Sequence, residues 1–324
     1  MPTRRTVLAA ALSSLAGPVL GATAGDAFAA GTAKAYGAPI EPARAYARLQ
    51  AATQAAQARA DRLLRRQGLS LGGVGARLRA LAADPRWLYA DSDEGRDRAV
   101  ADMNARLAAL RPSLAVAFGD LDIPRAEVRR MSAADVAAGR GGYRDQPPDG
   151  SAGAYYVDLR AIRSRPSWTL ASVAFHEVTP GHLLQLPTTA RAARDGAAAA
   201  LASTPPAFFE AWATYAEQLA ADLGAYRADP LGEIGYLQWR LFRLARGIAD
   251  VGLHAKGWSR DAAVRTVTAL QGFPVAFVGI EADVDRAIAS PGKAAAEALL
   301  ALDLAARRPR DRAGWPRYHR AVLT

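Results

Sequence analysis

The chain of 324 residues contains no cysteine. This absence excludes disulfide bonds, thiolate zinc sites, iron–sulfur clusters, a cysteine nucleophile and a lipid anchor on a thiol. A metal site in this chain must therefore use histidine and carboxylate ligands. Histidine is also scarce, and the chain has four: His176, His182, His254 and His319.

Lysine is nearly absent as well. Arginine carries most of the formal net charge of +10, because only Lys34, Lys256 and Lys293 are lysines among the 41 basic residues. The arginines are spread over the whole chain, and no nucleic-acid-binding motif accompanies them. We interpret them as a solvated basic surface and expect no nucleic-acid partner; attraction to anionic substrates or to an anionic envelope is the alternative.

The first 29 residues have the pattern of an export signal. Arg4 and Arg5 precede a short apolar stretch, and the sequence AFA ending at Ala29 has the small residues of a cleavage site. Paired arginines are typical of twin-arginine export, and an ordinary Sec signal or an uncleaved anchor is the alternative. We expect an exported protein, periplasmic or secreted, with no stable membrane span after cleavage.

The remaining chain predicts a mostly α-helical fold with at most a short β element. Apolar residues recur at helical spacing, and glycine and proline separate the segments. The predicted helices cover residues 41–66, 72–83, 92–111, 167–185, 204–223, 231–256, 260–271, 279–289 and 292–307, and the strand candidate covers 153–159. We expect one domain over residues 30–306 and a basic, loosely held tail over 307–324.

The most informative segment is HEVTPGH, which begins at His176. Two histidines with a glutamate directly after the first are typical of zinc peptidases, in which the imidazoles bind the ion and the glutamate activates water. Six residues turn a regular helix by about 600°, which places His182 roughly 120° away from His176. Because Pro180 and Gly181 permit an irregular backbone, we expect a bulge there to bring His182 to the metal. Glu177 would then be the general base.

A third ligand must come from another element. Glu210 lies in the second turn of the helix predicted over 204–223, among aromatic residues, and a carboxylate in apolar surroundings needs a partner. We predict Glu210 as the third metal ligand; an exposed helix residue is the alternative. Glu217 lies seven residues later on the same helix face, where we expect it to hydrogen-bond a ligand histidine.

A polar stripe runs along the helix predicted over 231–256. It consists of Arg243, Arg246, Asp250 and His254. If the stripe faces the metal, Asp250 would orient His254, and His254 or one of the arginines would stabilise an oxyanion; a stripe that simply faces solvent is the alternative. Tyr155 and Tyr156 are weaker candidates for the same role. His319 is interpreted as incidental.

These motifs together resemble those of the bacterial domain-of-unknown-function 885 family, which is related to carboxypeptidase Taq and the gluzincin zinc peptidases. The family pattern HE-x-x-PGHH-x-Q is similar to HEVTPGHLLQ from His176, EGWAxYAE to EAWATYAE from Glu210, and DxGLHxxGW to DVGLHAKGW from Asp250. The similarity extends from about residue 42 to about residue 293. The resemblance implies a mostly helical, gluzincin-like fold, one zinc ion per chain and hydrolysis of peptide bonds.

The chain also departs from the family pattern. Leu183 replaces the second of two adjacent histidines, which leaves His182 as the candidate ligand. Ala287 and Ala296 stand where the family has tyrosines, and Lys293 stands where it has glutamine. The helical portion before the motifs is shorter than in the family. One wall of the cleft would then be missing, or a second subunit of a homodimer would supply it.

We therefore expect an exported zinc-dependent metallohydrolase that acts on peptides or small amides. The zinc ligands would be His176, His182 and Glu210, with Glu177 as the base. One alternative is a shortened, non-catalytic paralogue that binds metal and peptide. The other is a metal-dependent amidase or esterase.

Overall fold

The computed structural model of the chain describes residues 23–146, 153–197, 204–275 and 279–324. Over these ranges the fold is mostly α-helical, as predicted, with one small sheet. The α-helices are α1 (Ala24–Tyr36), α2 (Pro42–Arg66), α3 (Val74–Ala82), α4 (Asp93–Leu110), α5 (Leu114–Phe118), α6 (Ala133–Ala137), α7 (Leu170–Glu177), α8 (His182–Ala192), α9 (Phe208–Asp222), α10 (Pro230–Ala255), α11 (Arg260–Gln271), α12 (Ile280–Ala289), α13 (Lys293–Arg307) and α14 (Trp315–Leu323). The strands are β1 (Ala126–Arg130), β2 (Tyr143–Asp145) and β3 (Gly153–Val157). Within the described ranges, none of the helices is long and apolar enough to cross a membrane.

Helix α10 lies at the centre of the fold and packs against α2, α11 and α13. Its start is well defined, because the Asp229 side chain accepts a hydrogen bond from the Gly232 N–H and Pro230 occupies the first turn. A side chain at Gly235 would place its Cβ 1.9 Å from the carbonyl oxygen of Trp168. The missing Cβ therefore allows α10 to approach the segment that leads into α7, which carries the first histidine of the predicted site.

The three strands form one sheet in the order β1-β3-β2, with β1 parallel and β2 antiparallel to β3. Strand β3 lies within the predicted strand over 153–159. Its partners were not predicted, because AEVRR and YRD are short and polar and lack apolar alternation. The sheet packs on α4 and contributes Val128, Tyr155 and Val157 to a second apolar cluster with Met103 and Val173.

The predicted export signal lies only partly within the described residues, because residues 1–22 fall outside them. Helix α1 begins at Ala24, and Thr23 and Asp26 form a capping box at its N-terminus. Phe28 is fully buried in the main core. Cleavage after Ala29 would remove this aromatic side chain from the core, and the cleavage position stays a prediction.

The C-terminal segment is packed rather than loosely held, which corrects the expectation for residues 307–324. Helix α14 buries Trp315 and His319, and the Arg308 guanidinium stacks over the Trp315 ring at 4.2 Å. Nδ1 of His319 donates to the carbonyl oxygen of Ala117, and Nε2 accepts from the hydroxyl of Tyr215, both at 2.7 Å. Burial of the aromatic rings therefore outweighs the basic composition of the segment.

Candidate metal centre

The two histidines of the HEVTPGH segment lie on different helices. Helix α7 ends at Glu177 and α8 begins at His182, so the single helix predicted over 167–185 is broken by a four-residue turn. The turn is tight, because a Cβ at Gly181 would lie 1.8 Å from the carbonyl oxygen of His176. Nε1 of Trp212 donates to the carbonyl oxygen of Pro180 at 3.0 Å and holds the turn against α9. The predicted irregularity at Pro180 and Gly181 is therefore present, as a complete break.

Glu210 joins the two histidines from the first turn of α9. Its Oε2 lies 3.6 Å from Nε2 of His176, and its Oε1 lies 3.5 Å from Nε2 of His182. One ligand atom from each of the three residues lies within 4.8 Å of the other two. Neither ring nitrogen of the buried His182 has a hydrogen-bond partner among the described residues. A buried imidazole without a partner beside a second imidazole and a carboxylate fits a metal ion such as zinc.

Glu217 lies behind His176. Its carboxylate is almost completely buried and accepts hydrogen bonds from Nδ1 of His176 at 2.9 Å and from Oγ of Ser172 at 2.5 Å. A proton on Nδ1 leaves the lone pair of Nε2 directed towards Glu210, which is the tautomer that a metal ligand needs. The hydrogen bond predicted between Glu217 and a ligand histidine is thus present.

The electrostatics of the cluster favour positive charge. Burial would raise the pKa of Glu210, but the close approach of His176 and His182 and the charge of Arg243 hold it well below its usual range. Burial and Arg243 lower the pKa of His176, but the nearby Glu210 carboxylate and the hydrogen bond with Glu217 outweigh them and raise it to about 9. Burial lowers the pKa of His182. Carboxylates that attract a proton to this cluster would also attract a metal cation.

A cavity of about 330 Å³ opens beside the cluster, and His176, Glu177 and Glu210 line it. Glu177 is partly exposed there and forms an ion pair with Arg144 of β2. One wall of the cavity is apolar and contains Val173, Trp239, Phe242 and Val275. The structure therefore places the predicted base on the wall of a space large enough for part of a substrate.

The two arginines of the polar stripe also reach this cavity. Nη1 of Arg243 lies 3.3 Å from Oε2 of Glu210, and its Nη2 lies 3.2 Å from Nε2 of His176. Arg246 pairs with Asp283 at 3.1 Å and with Glu297 at 3.5 Å. Arg243 therefore contacts the predicted ligands, whereas Arg246 pairs with carboxylates of α12 and α13.

The other half of the stripe does not reach the cavity, which corrects the interpretation of Asp250 and His254. Asp250 is fully buried and accepts hydrogen bonds from the backbone N–H groups of Gly292 at 2.9 Å and Ala295 at 3.0 Å. His254 hydrogen-bonds the carbonyl oxygen of Ala287 at 3.1 Å. At 1.5 Å per residue, His254 lies about 16 Å beyond Arg243 along α10, so a shared helix face does not make a shared site. Asp250 instead holds the start of α13.

Of the two tyrosines on β3, Tyr155 lines the cavity, whereas Tyr156 stacks on Tyr143 with the ring centroids 4.7 Å apart. Successive side chains of a strand point to opposite faces, so only one of the pair can face the metal centre. The placement of Tyr156 as a site residue is thereby corrected. Sequence reasoning missed Arg144 and Arg165 on the cavity wall, because isolated arginines carry no motif in a chain this rich in arginine.

Comparisons with known proteins agree with this architecture. The sequence matches, over residues 6–324, the family described as "Bacterial protein of unknown function (DUF885)". A search of curated proteins finds no significant match. The crystal structure of a candidate lipoprotein from Colwellia psychrerythraea is 28% identical, with a TM-score of 0.79, and the match covers 91% of this chain and 52% of that one. A candidate lipoprotein of unknown function from Shewanella oneidensis is 17% identical, with a TM-score of 0.66, over 86% of this chain and 52% of that one, and shares the fold.

The chain thus spans about half the length of these two solved structures. The family match covers nearly the whole chain and includes all three motifs that carried the resemblance. The protein belongs to the DUF885 family of bacterial proteins of unknown function.

Proposed function

We propose that the protein is an exported zinc-dependent metallohydrolase that cleaves peptide bonds. The observation that carries the proposal is the convergence of His176, His182 and Glu210 beside Glu177 on one cavity wall. Two imidazoles and a carboxylate form a donor set of catalytic zinc sites. Glu177 lies beside them without being a ligand, as a general base must. The N-terminal sequence pattern and the candidate lipoproteins among the structural relatives support export.

Zinc held by the three ligands would polarise the scissile carbonyl and lower the pKa of the attacking water. The Glu177 carboxylate accepts the proton of that water and returns it to the leaving nitrogen. Arg144 holds Glu177 at the cavity wall through the ion pair, and Glu217 orients His176. The guanidinium of Arg243, 3.3 Å from Oε2 of Glu210, is the candidate donor for negative charge that develops on the carbonyl oxygen.

Metal content and one substitution test this proposal. The purified protein should contain about one zinc ion per chain, measured by inductively coupled plasma mass spectrometry. Glu177→Gln should retain the metal and reduce hydrolysis of a mixed peptide library by roughly 10²–10⁴-fold, because it removes the base and leaves the ligands in place. Glu281→Gln is the matched control, since Glu281 is 74% exposed on α12. A protein that binds no divalent metal would contradict the proposal.

The ion pair between Arg144 and Glu177 favours a second candidate, a protein that binds metal and peptide without cleaving it. The guanidinium of Arg144 occupies Oε2 of Glu177, an oxygen that would otherwise be open to a water proton. Zinc at one ion per chain with no hydrolysis of any peptide, amide or ester in the library would select this candidate. Hydrolysis of amides or esters alone would select an amidase or esterase.

A further inference from the structure

Arg165 is a buried cation on the cavity wall. Its side chain is 4% exposed and lines the cavity next to Val173, Trp239 and Val275. No carboxylate among the described residues lies within 4 Å of its guanidinium, and its Nε has no hydrogen-bond partner there. Buried charges in proteins are normally paired, because removing a charge from water is costly.

The other cations of the cavity wall differ from Arg165 in this respect. Each lies within 4 Å of a carboxylate: Arg144, Arg243, Arg246, Arg286 and Lys293. The wall carries six cationic and four acidic side chains, an excess of two positive charges. Because Arg165 has no carboxylate within 4 Å among the described residues, the unbalanced positive charge of the wall lies at its guanidinium. An anion in the cavity would be attracted to that place.

Arg165 lines the same cavity as His176 and Glu177. The charge of Glu177 raises the pKa of Tyr155, and the charge of Arg165 lowers it, although burial has the largest effect and the net shift is upward. Both groups therefore act on the same hydroxyl. Val173, which lines the cavity with Arg165, precedes His176 by about one helical turn. An anion on Arg165 would therefore lie in the same cavity as the metal cluster, with the apolar wall beside it.

We propose that Arg165 binds a carboxylate of the substrate and thereby determines which peptide bond reaches Glu177. This inference rests on the proposed peptidase function and specifies its substrate class. A C-terminal carboxylate on Arg165 would restrict cleavage to bonds near the C-terminus, and the last side chain would pack against Trp239 and Val275. A carboxylate of an aspartate or glutamate side chain would instead select an acidic residue next to the cut.

Calorimetric titration of three ligands separates these sources. The probes are acetyl-Gly-Phe, its C-terminal amide, and acetyl-Gly-Glu-amide, added to the purified protein that carries Glu177→Gln to prevent turnover and Arg144→Gln to leave no second unpaired cation in the cavity. We expect one of the two carboxylates to bind roughly 10- to 100-fold more tightly than acetyl-Gly-Phe-amide, as a charge-assisted hydrogen-bond pair would give. Tighter binding of acetyl-Gly-Phe identifies a terminal carboxylate, and tighter binding of acetyl-Gly-Glu-amide identifies a side-chain carboxylate.

Substitution of Arg165 assigns the preference to this residue. Adding Arg165→Gln should abolish the preference for a carboxylate, whereas Arg163→Gln should retain it, because Arg163 is exposed and does not line the cavity. Equal binding of all three probes to the parent protein, or a preference that survives Arg165→Gln, would overturn the proposal.

A stability measurement distinguishes a binding residue from a structural one. Arg165→Met removes a charge without a described partner from apolar surroundings, so its melting temperature should equal or exceed that of the parent protein. A melting temperature lowered by more than a few degrees would show that Arg165 supports the fold and would count against the proposal. If carboxylate binding depends on Arg165 but the wild-type protein cleaves no peptide, the anion site stands and the peptidase function fails.

Discussion

The turn between the two histidines offers a direct test of the metal centre. A Cβ at Gly181 would lie 1.8 Å from the carbonyl oxygen of His176, and such contacts essentially never fall below 3.0 Å. In Gly181→Ala the new Cβ and the carbonyl oxygen of His176 must therefore move apart by about 1.2 Å, from 1.8 Å to 3.0 Å. Metal–ligand distances tolerate deviations of about 0.2 Å. His176 and His182 can then no longer reach the same ion.

We expect Gly181→Ala to weaken zinc binding by at least roughly 100-fold, the upper end of the effect of losing an outer-sphere partner. The overpacked turn should cost about 1–3 kcal/mol, which a domain of ordinary stability survives. Circular dichroism would establish that the helices persist, and competition with a chelator would measure affinity. Gly73→Ala is the control, because a Cβ there meets nothing within 4 Å. A folded Gly181→Ala protein with wild-type zinc affinity would refute the assignment of His176 and His182 as joint ligands.

Three further predictions follow from buried side chains. Glu217→Gln should weaken zinc binding about 10- to 100-fold in the same chelator assay, because the amide is a poorer acceptor for His176, and unchanged affinity would count against this role. Burial lowers the pKa of His319 from 6.5 to about 4, so the folded state favours the neutral ring. The resulting contribution to the free energy of unfolding is present above pH 6.5, and up to about 3 kcal/mol of it is lost as pH falls from 6.5 to 4. Urea unfolding across that range should show a shallower pH dependence for His319→Gln, and identical slopes would contradict the assignment. Phe28→Ala should lower the free energy of unfolding of the full chain by about 3–5 kcal/mol, and an unchanged free energy would contradict the place of Phe28 in the core.

Local sequence patterns predicted most of the helices because their signals act within a few residues. The helix predicted over 260–271 is present as Arg260–Gln271, where Ser259 accepts a hydrogen bond from the N–H of Ala262 and Gly272 follows the last turn. The tail over 307–324 was misjudged, because its fate depends on Trp315 and His319 meeting residues far away in sequence. The amino-acid composition of the tail does not indicate which distant residues it contacts.

The candidate site likewise combines features that local patterns predicted with features that they did not. Motif spacing was enough to select His176, His182 and Glu210, and the two-residue excess over a helical repeat indicated the break before His182. The same reasoning placed His254 in the site, because helical periodicity assigns a face but not a position along the axis.

The sequence by itself determined that a metal site must lack thiolates, that the fold is mostly α-helical, and which histidines and carboxylate belong together. These conclusions rest on ligand chemistry and on periodicity, which are local. Only the tertiary structure decided that Tyr155 rather than Tyr156 faces the cavity, that Asp250 holds a helix start, and that Arg165 lacks a partner among the described residues. Pairing and burial depend on which distant segments pack together, and the local patterns of a single sequence do not show those contacts.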